Sequence, residues 1–306
     1  MRTVVIAGGT RGIGGALAAR LRQRGDRVIA LGSADADLTS VAATDALIRR
    51  LPDRIDTLVL SAGAFSPQRV ETAEGFERSF AIMVLARYLL AEGLRPALNR
   101  ADHPMILSLT GTGGIKGGVI HWDDLQLTRE YRMMRAVLQG TRMNDLLGAG
   151  FTRRDPTSRI RYVLYNPLFV DSGLHRHLRQ PTRTLLAVAA RLFASSTTTA
   201  ADRLMPLLTD PLTIPPSGPP TVPPAGPLTV PPSSPPTAPP AGPLTVPQAG
   251  PPTISPADPP ARPPTAPLTA LRRGTPIPVD GPDFDPVDAD RAYEVVARLV
   301  AGVLSS

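Results

Sequence analysis

Apolar residues gather in five short runs: Val4 to Ala7, Val28 to Leu31, Thr57 to Leu60, Met105 to Leu109 and Ile160 to Tyr165. Amphipathic stretches of helical periodicity separate them. Strands that alternate with helices predict a parallel sheet with right-handed crossovers and helices on both faces, an α/β doubly wound architecture. One helical stripe starts near Gly75 and runs through Phe76, Phe80, Met83 and Leu90; a second starts near Tyr131 and runs through Met134, Leu138, Met143 and Leu147. Both stripes read as core and helix-pairing faces.

The alternation stops near Asp210. Residues 210–267 are Pro, Thr, Ala, Gly and Ser with almost no charge, and Gly226-Pro-Leu-Thr-Val-Pro-Pro returns 16 residues later as Gly242-Pro-Leu-Thr-Val-Pro-Gln. Proline this dense removes backbone donors and forbids helix or inner strand, so the segment is expected as a disordered or polyproline II insert. Patterned sequence resumes at Leu268, with an edge strand expected at Thr275 to Val279 and a capped helix from about Asp288 through Tyr293, Val296 and Leu299 to Leu304. That helix needs a partner surface, which assigns residues 268–306 back to the first domain.

Composition adds exclusions. The chain has 306 residues, 42% of them hydrophobic, enough for a sizeable core. It has no cysteine, which rules out disulfides, thiolate catalysis and cysteine-based zinc sites. His103, His121, His175 and His177 make no recognised ligand spacing, so no metal is expected. Among the 33 basic residues Lys116 is the single lysine. The arginines are scattered among acids rather than set in a stripe with aromatics, which argues against nucleic acid despite a pI near 10.6. The first strand begins at once and no apolar run approaches the roughly 18 residues of a membrane span, so a soluble cytoplasmic protein is expected.

The chemistry-bearing feature lies at the start, where a β-branched strand enters Gly8-Gly-Thr10-Arg11-Gly12-Ile13-Gly14 and then an apolar helix. Gly8 allows a tight exit from the strand, Gly12 lets a pyrophosphate approach the backbone, and Gly14 removes the Cβ that would hold the helix off the sheet. Phosphates would rest on the amides at the positive end of that helix.

With that turn placed, further marks resemble the short-chain dehydrogenase/reductase family. They are Leu60-Ser61-Ala62-Gly63 after a strand, the helix Phe80-Ala-Ile-Met-Val-Leu-Ala-Arg-Tyr-Leu-Leu, and Asn166-Pro167-Leu-Phe-Val170-Asp-Ser172. Asp123-Asp-Leu-Gln-Leu, with Gln139 and Asn144, is closest to the retinol-dehydrogenase-like and WW-domain-oxidoreductase-like branch. The resemblance covers residues 1–209 and 268–306. It implies a Rossmann-like dinucleotide-binding domain, hydride exchange between a nicotinamide and a carbonyl or alcohol, and a small-molecule substrate without nucleic acid or membrane; a homo-oligomer is compatible with it.

The resemblance implies a cofactor set of Gly8, Thr10, Arg11, Gly12, Ile13, Gly14, Ser33, Asp37, Leu38, Ser61, Ala62, Gly63, Pro167 and Val170. A free ribose 2′-hydroxyl usually meets an acid after the second strand, but Gly32 and Ser33 stand there. With Arg11 in the turn, NADP is favoured and NAD is the alternative, Asp35 nearby arguing for the latter. Asp37-Leu38-Thr39 resembles the family's Asp-Val-Thr element; a helix-capping acid is the plainer reading.

The family's catalytic residues are a tyrosine, a lysine four residues on, a serine and an asparagine. Alignment on Asp123 and Asn144 puts Val137, Thr141, Gly111 and Met83 in those positions, with Thr110 and Thr112 flanking Gly111. A second register keeps Tyr131 as the proton donor with Arg135 as its cation, leaving Tyr131 and Thr110 as catalytic candidates. Either an oxidoreductase or a non-catalytic dinucleotide binder follows. A third reading makes the proline segment a ligand for modules that bind polyproline II helices.

Overall fold

A computed structural model describes residues 1–112, 118–167, 196–209 and 268–305. The expected insert at 210–267, Lys116, Val170, His175 and His177 lie outside the described residues. One compact unit comprises Met1–Gly218 and Ala266–Ser306; the second, Pro219–Thr265, lies wholly outside them.

The doubly wound sheet expected from the apolar runs is present. Its strands are β1 (Thr3–Ala7), β2 (Arg27–Leu31), β3 (Thr57–Leu60), β4 (Met105–Leu109), β5 (Arg161–Asn166), β6 (Leu268–Arg272) and β7 (Thr275–Ile277). They stand in the order β2-β1-β3-β4-β5-β6-β7. Every pair is parallel except β6 with β7, which closes the far edge antiparallel. Side chains alternate across the sheet. Val5, Leu58, Leu60, Ile106, Tyr162 and Leu164 face one buried cluster, and Val4, Ile6, Val59, Leu107, Val163 and Tyr165 face the other.

Helices α1 (Gly12–Gln23) and α7 (Thr197–Thr209) pack together on the second face. The first face carries α2 (Val41–Ile48), α3 (Arg78–Phe80), α4 (Ala86–Gly93), α5 (Arg95–Asn99), α6 (Met133–Arg154) and α8 (Pro286–Leu304). α8 lies against α6, and Arg142 donates to the carbonyls of Pro282 and Asp283 just before α8.

Two helix starts differ from the sequence reading. Gly75 sits in a turn at φ +80°, and helix begins only after Glu77, whose carboxylate accepts from the Ser79 and Phe80 amides. Tyr131 precedes α6, whose first residue is Met133. Between α3 and α4 the chain makes a π-helical turn at Ala81–Leu85. The Asn144 amide ties this turn to α6, donating to Met83 O at 2.9 Å and to Gly140 O at 2.7 Å.

The described residues on either side of 210–267 lie at the amino edge of the sheet. Thr209 follows Leu208, whose carbonyl accepts from Arg2 just before β1, and Leu268 pairs with Tyr162 near the start of β5. The glycine turn lies at the opposite, carboxyl edge.

Candidate functional site

The turn between β1 and α1 is held by the strands on either side. Gly8 has φ +81° and donates to Leu31 O at 3.0 Å; a Cβ on it would lie 2.7 Å from the Ala62 amide nitrogen. Both the backbone angle and the space therefore require glycine. Ser61 fastens the same turn to β3, its hydroxyl donating to Ala7 O at 2.8 Å. A Cβ on Gly14 would collide with Gly8 O and Ser61 Oγ, so this glycine sets how closely α1 approaches the strand ends.

Gly12 is different in kind. Its φ is +61°, yet a Cβ there would have nothing within 4 Å. The backbone at Gly12 thus faces open space, a cleft of about 430 Å³ lined among others by Thr10, Arg11, Arg22, Ala30 and Thr197. The amino end of α1 carries no side-chain cap and no acid in its first turn. By contrast, Ser40 and Glu74 take up the first amides of α2, and Asp285 those of α8. Uncapped amides, a positive helix end and the neighbouring Arg11 guanidinium make a chemical fit for a diphosphate.

Around this cleft, Thr10, Arg11 and Ser33 are exposed, and Ile13 packs on the α1 side of the sheet. Asp35 turns its carboxylate to the Gly32 amide at 2.8 Å, and Asp37 accepts from the amide and hydroxyl of Thr39. Both acids are engaged in local turns, and Leu38 is core. Ala62 and Gly63 follow β3, and Pro167 follows β5 at the same carboxyl edge.

The positions aligned with the family's catalytic residues also meet. Gly111 lies against Thr141, where a Cβ would come within 2.9 Å of Thr141 Cγ2 and 3.0 Å of its Oγ1. Val137, one turn earlier on α6, is half-buried, and Met83 is buried with its thioether across Gly140. The buried Thr110 Oγ1 has no hydrogen-bond partner among the described residues.

The second register does not assemble. The Tyr131 hydroxyl donates to Ser66 O at 2.9 Å, and burial together with the Glu77 carboxylate raises its pKa, the wrong direction for a catalytic base. Arg135 does not serve it as a cation, donating instead to His121 Nε2 at 2.9 Å and to Glu130 O at 3.3 Å.

Two buried ionisable groups at this edge were not singled out in the sequence. Asp145, on α6, accepts a hydrogen bond from the Thr112 hydroxyl, and burial pushes its pKa up to about 7. Arg87, on α4, spans two strand ends. Its guanidinium donates to Ala62 O at 2.9 Å, to Leu109 O at 2.8 Å and to Ser108 Oγ at 3.1 Å. The signal for Arg87 is a single charge in the apolar stripe of Phe80, Met83 and Leu90.

Sheet order and glycine turn together define a Rossmann-like doubly wound protein. No family model matches the chain. It is 31% identical over 201 residues to DnrU of Streptomyces sp. (strain C5), assigned as a daunorubicin C-13 ketoreductase, covering 57% of this chain and 68% of that protein. It is 25% identical over 217 residues to mouse retinol dehydrogenase 14, covering 59% of this chain and 64% of that relative's length. Among solved structures, the 3-alpha-hydroxysteroid dehydrogenase of Pseudomonas sp. B-0831, complexed with NADH, superposes with a TM-score of 0.56 at 20% identity over 69% of this chain and 91% of that one. The chain belongs to the short-chain dehydrogenase/reductase family. Among the described residues, no helix is long and apolar enough to cross a membrane, and no group of three or more His, Cys, Asp or Glu is placed to hold a metal ion.

Proposed function

We propose that this chain binds NAD(P) at the turn between β1 and α1, with NADP favoured, and that it is an oxidoreductase acting on a small carbonyl or alcohol. The observation that carries the reading is the contrast within one turn: Gly8 and Gly14 are tightly enclosed, whereas Gly12 faces an open cleft beside an uncapped helix end. The uncapped amides of α1 hold the pyrophosphate, and Arg11 pairs with a ribose 2′-phosphate. Asp35 and Asp37, engaged with Gly32 and Thr39, do not compete for that guanidinium. The bound nicotinamide supplies or accepts the hydride. Thr110, whose hydroxyl has no partner among the described residues, orients the substrate oxygen at the carboxyl end of β4. The relatives named as a ketoreductase and a retinol dehydrogenase support the carbonyl/alcohol class.

A second reading, a dinucleotide binder without turnover, is favoured by one observation: Val137 and Thr141 supply neither a phenol nor an ammonium where the family places its proton donor and cation. A fluorescence titration with NADPH, followed by a turnover screen over mixed carbonyls and alcohols, separates the two. NADPH emission is expected to rise on mixing, and Gly12→Asp to abolish the rise by setting a carboxylate against the pyrophosphate. No binding of NADPH or NADH at millimolar concentration by the parent would overturn the cofactor reading.

A further inference from the structure

Arg87 is buried to 5% exposure, and among the described residues no carboxylate lies within ion-pair distance of it. Its acceptors are neutral: two backbone carbonyls and one hydroxyl. Its Nε, also buried, has no acceptor among the described residues. Burial lowers its pKa to about 10, so it stays cationic at neutral pH. An unneutralised buried guanidinium is costly, and the fold nevertheless keeps one.

Its position gives that charge a use. Ala62 O lies just past the end of β3, and Leu109 O is the last carbonyl of the neighbouring β4. Both stand at the carboxyl edge of the sheet, the edge along which doubly wound proteins bind dinucleotides. The cation is therefore fixed beneath that edge, in low dielectric, where salt screens it weakly. The two redox forms of the cofactor differ there by one charge: oxidised nicotinamide is a cation and reduced nicotinamide is neutral.

We propose that Arg87 makes this cleft selective for the reduced dinucleotide, because its uncompensated charge at the ends of β3 and β4 repels the oxidised nicotinamide. The inference rests on the dinucleotide reading and deepens it, setting the site toward reduction of a carbonyl. Arg87 acts here on binding through its field, without covalent or proton-transfer chemistry.

The test is a pair of dissociation constants on the full chain, NADPH by fluorescence and NADP⁺ by calorimetry, for the parent, Arg87→Gln and Arg87→Lys. The parent is expected to bind NADPH on the order of tenfold more tightly than NADP⁺. Arg87→Gln, neutral but still able to donate to the strand-end carbonyls, is expected to bring the ratio near one, and Arg87→Lys to keep most of it. A parent ratio near one overturns the proposal without any variant. If Arg87→Gln does not fold, the lysine variant decides: a folded Arg87→Lys whose ratio collapses assigns the preference to the forked hydrogen bonds and overturns the role of charge. Equal binding of both forms defeats this proposal alone, whereas binding of neither defeats the dinucleotide reading as well.

Discussion

Asp145→Asn tests the other buried ionisable group. The folded chain holds this carboxyl at 4% exposure, and its pKa is pushed up to about 7, chiefly by burial. The Thr112 hydroxyl and the Arg142 guanidinium pull it down, and Asp283 adds to the rise. An unfolded aspartate titrates near 3.9. Because the folded pKa is the higher one, the native state holds a proton that the unfolded state has released. The stability from this group is fully present below about pH 4 and is lost as pH rises through about 7. At about 1.4 kcal/mol per pH unit over some three units, the loss is on the order of 4 kcal/mol by pH 8. Asparagine is neutral throughout, and its carbonyl still accepts from Thr112. The variant is therefore expected to match the parent within about 1 kcal/mol at pH 4.5 and to be more stable by about 3 kcal/mol at pH 8, a gain of roughly 6–12 °C in Tm. Urea and thermal melts of both proteins at half-unit intervals from pH 4.5 to 8 measure this, and other titrating groups cancel in the difference. Parallel profiles, or a variant less stable at pH 8, would refute the argument.

Deleting Pro215 to Ala266 is expected to leave Tm and NADPH affinity nearly unchanged, since both flanks lie at the amino edge of the sheet and the glycine turn at the other; a tenfold loss of affinity would show that the segment reaches the site. Tyr131→Phe removes the hydrogen bond to Ser66 O and the hydroxyl's interactions with Ser79 and Glu77, and is expected to cost about 1–2 kcal/mol in a denaturant melt and none of any turnover found. Gly111→Ser alone is expected to cost about 1–3 kcal/mol by crowding the stiff Thr141 side chain, and Thr141→Ala to recover most of it; additive melts for the pair would mean that the two residues do not share this space.

The fold was legible because parallel strands covered on both faces read as unbroken apolar runs, and each of the five runs seen in the first 165 residues is a strand. The glycine turn was legible for a steric reason, since Gly8 admits no side chain. Helix starts were harder to read. Glu77 caps α3 through its carboxylate, a choice that the apolar stripe beginning at Phe76 does not reveal. Long-range polar pairs left no trace at all: Thr112 and Asp145 are 33 residues apart, and the carbonyls that receive Arg87 come from two strands whose adjacency is a product of the fold.

Gly111, Thr141, Gly140, Met83 and Asn144 form one packing arrangement. With glycine at 111, the backbone after β4 closes directly on Thr141, and with glycine at 140, the Met83 thioether lies across α6. Asn144 adds to the contact by donating to the Met83 carbonyl within the π-helical turn. Each glycine leaves room for the side chain facing it, Thr141 at Gly111 and Met83 at Gly140. Val137 and Thr141 themselves carry no charge, and Arg87, delivered from α4, is a cation that touches the strand ends. If Arg87 acts as proposed, its fixed charge beneath the carboxyl edge bears on which cofactor form is held. The ratio of the two dissociation constants is the quantity in which that action is measurable.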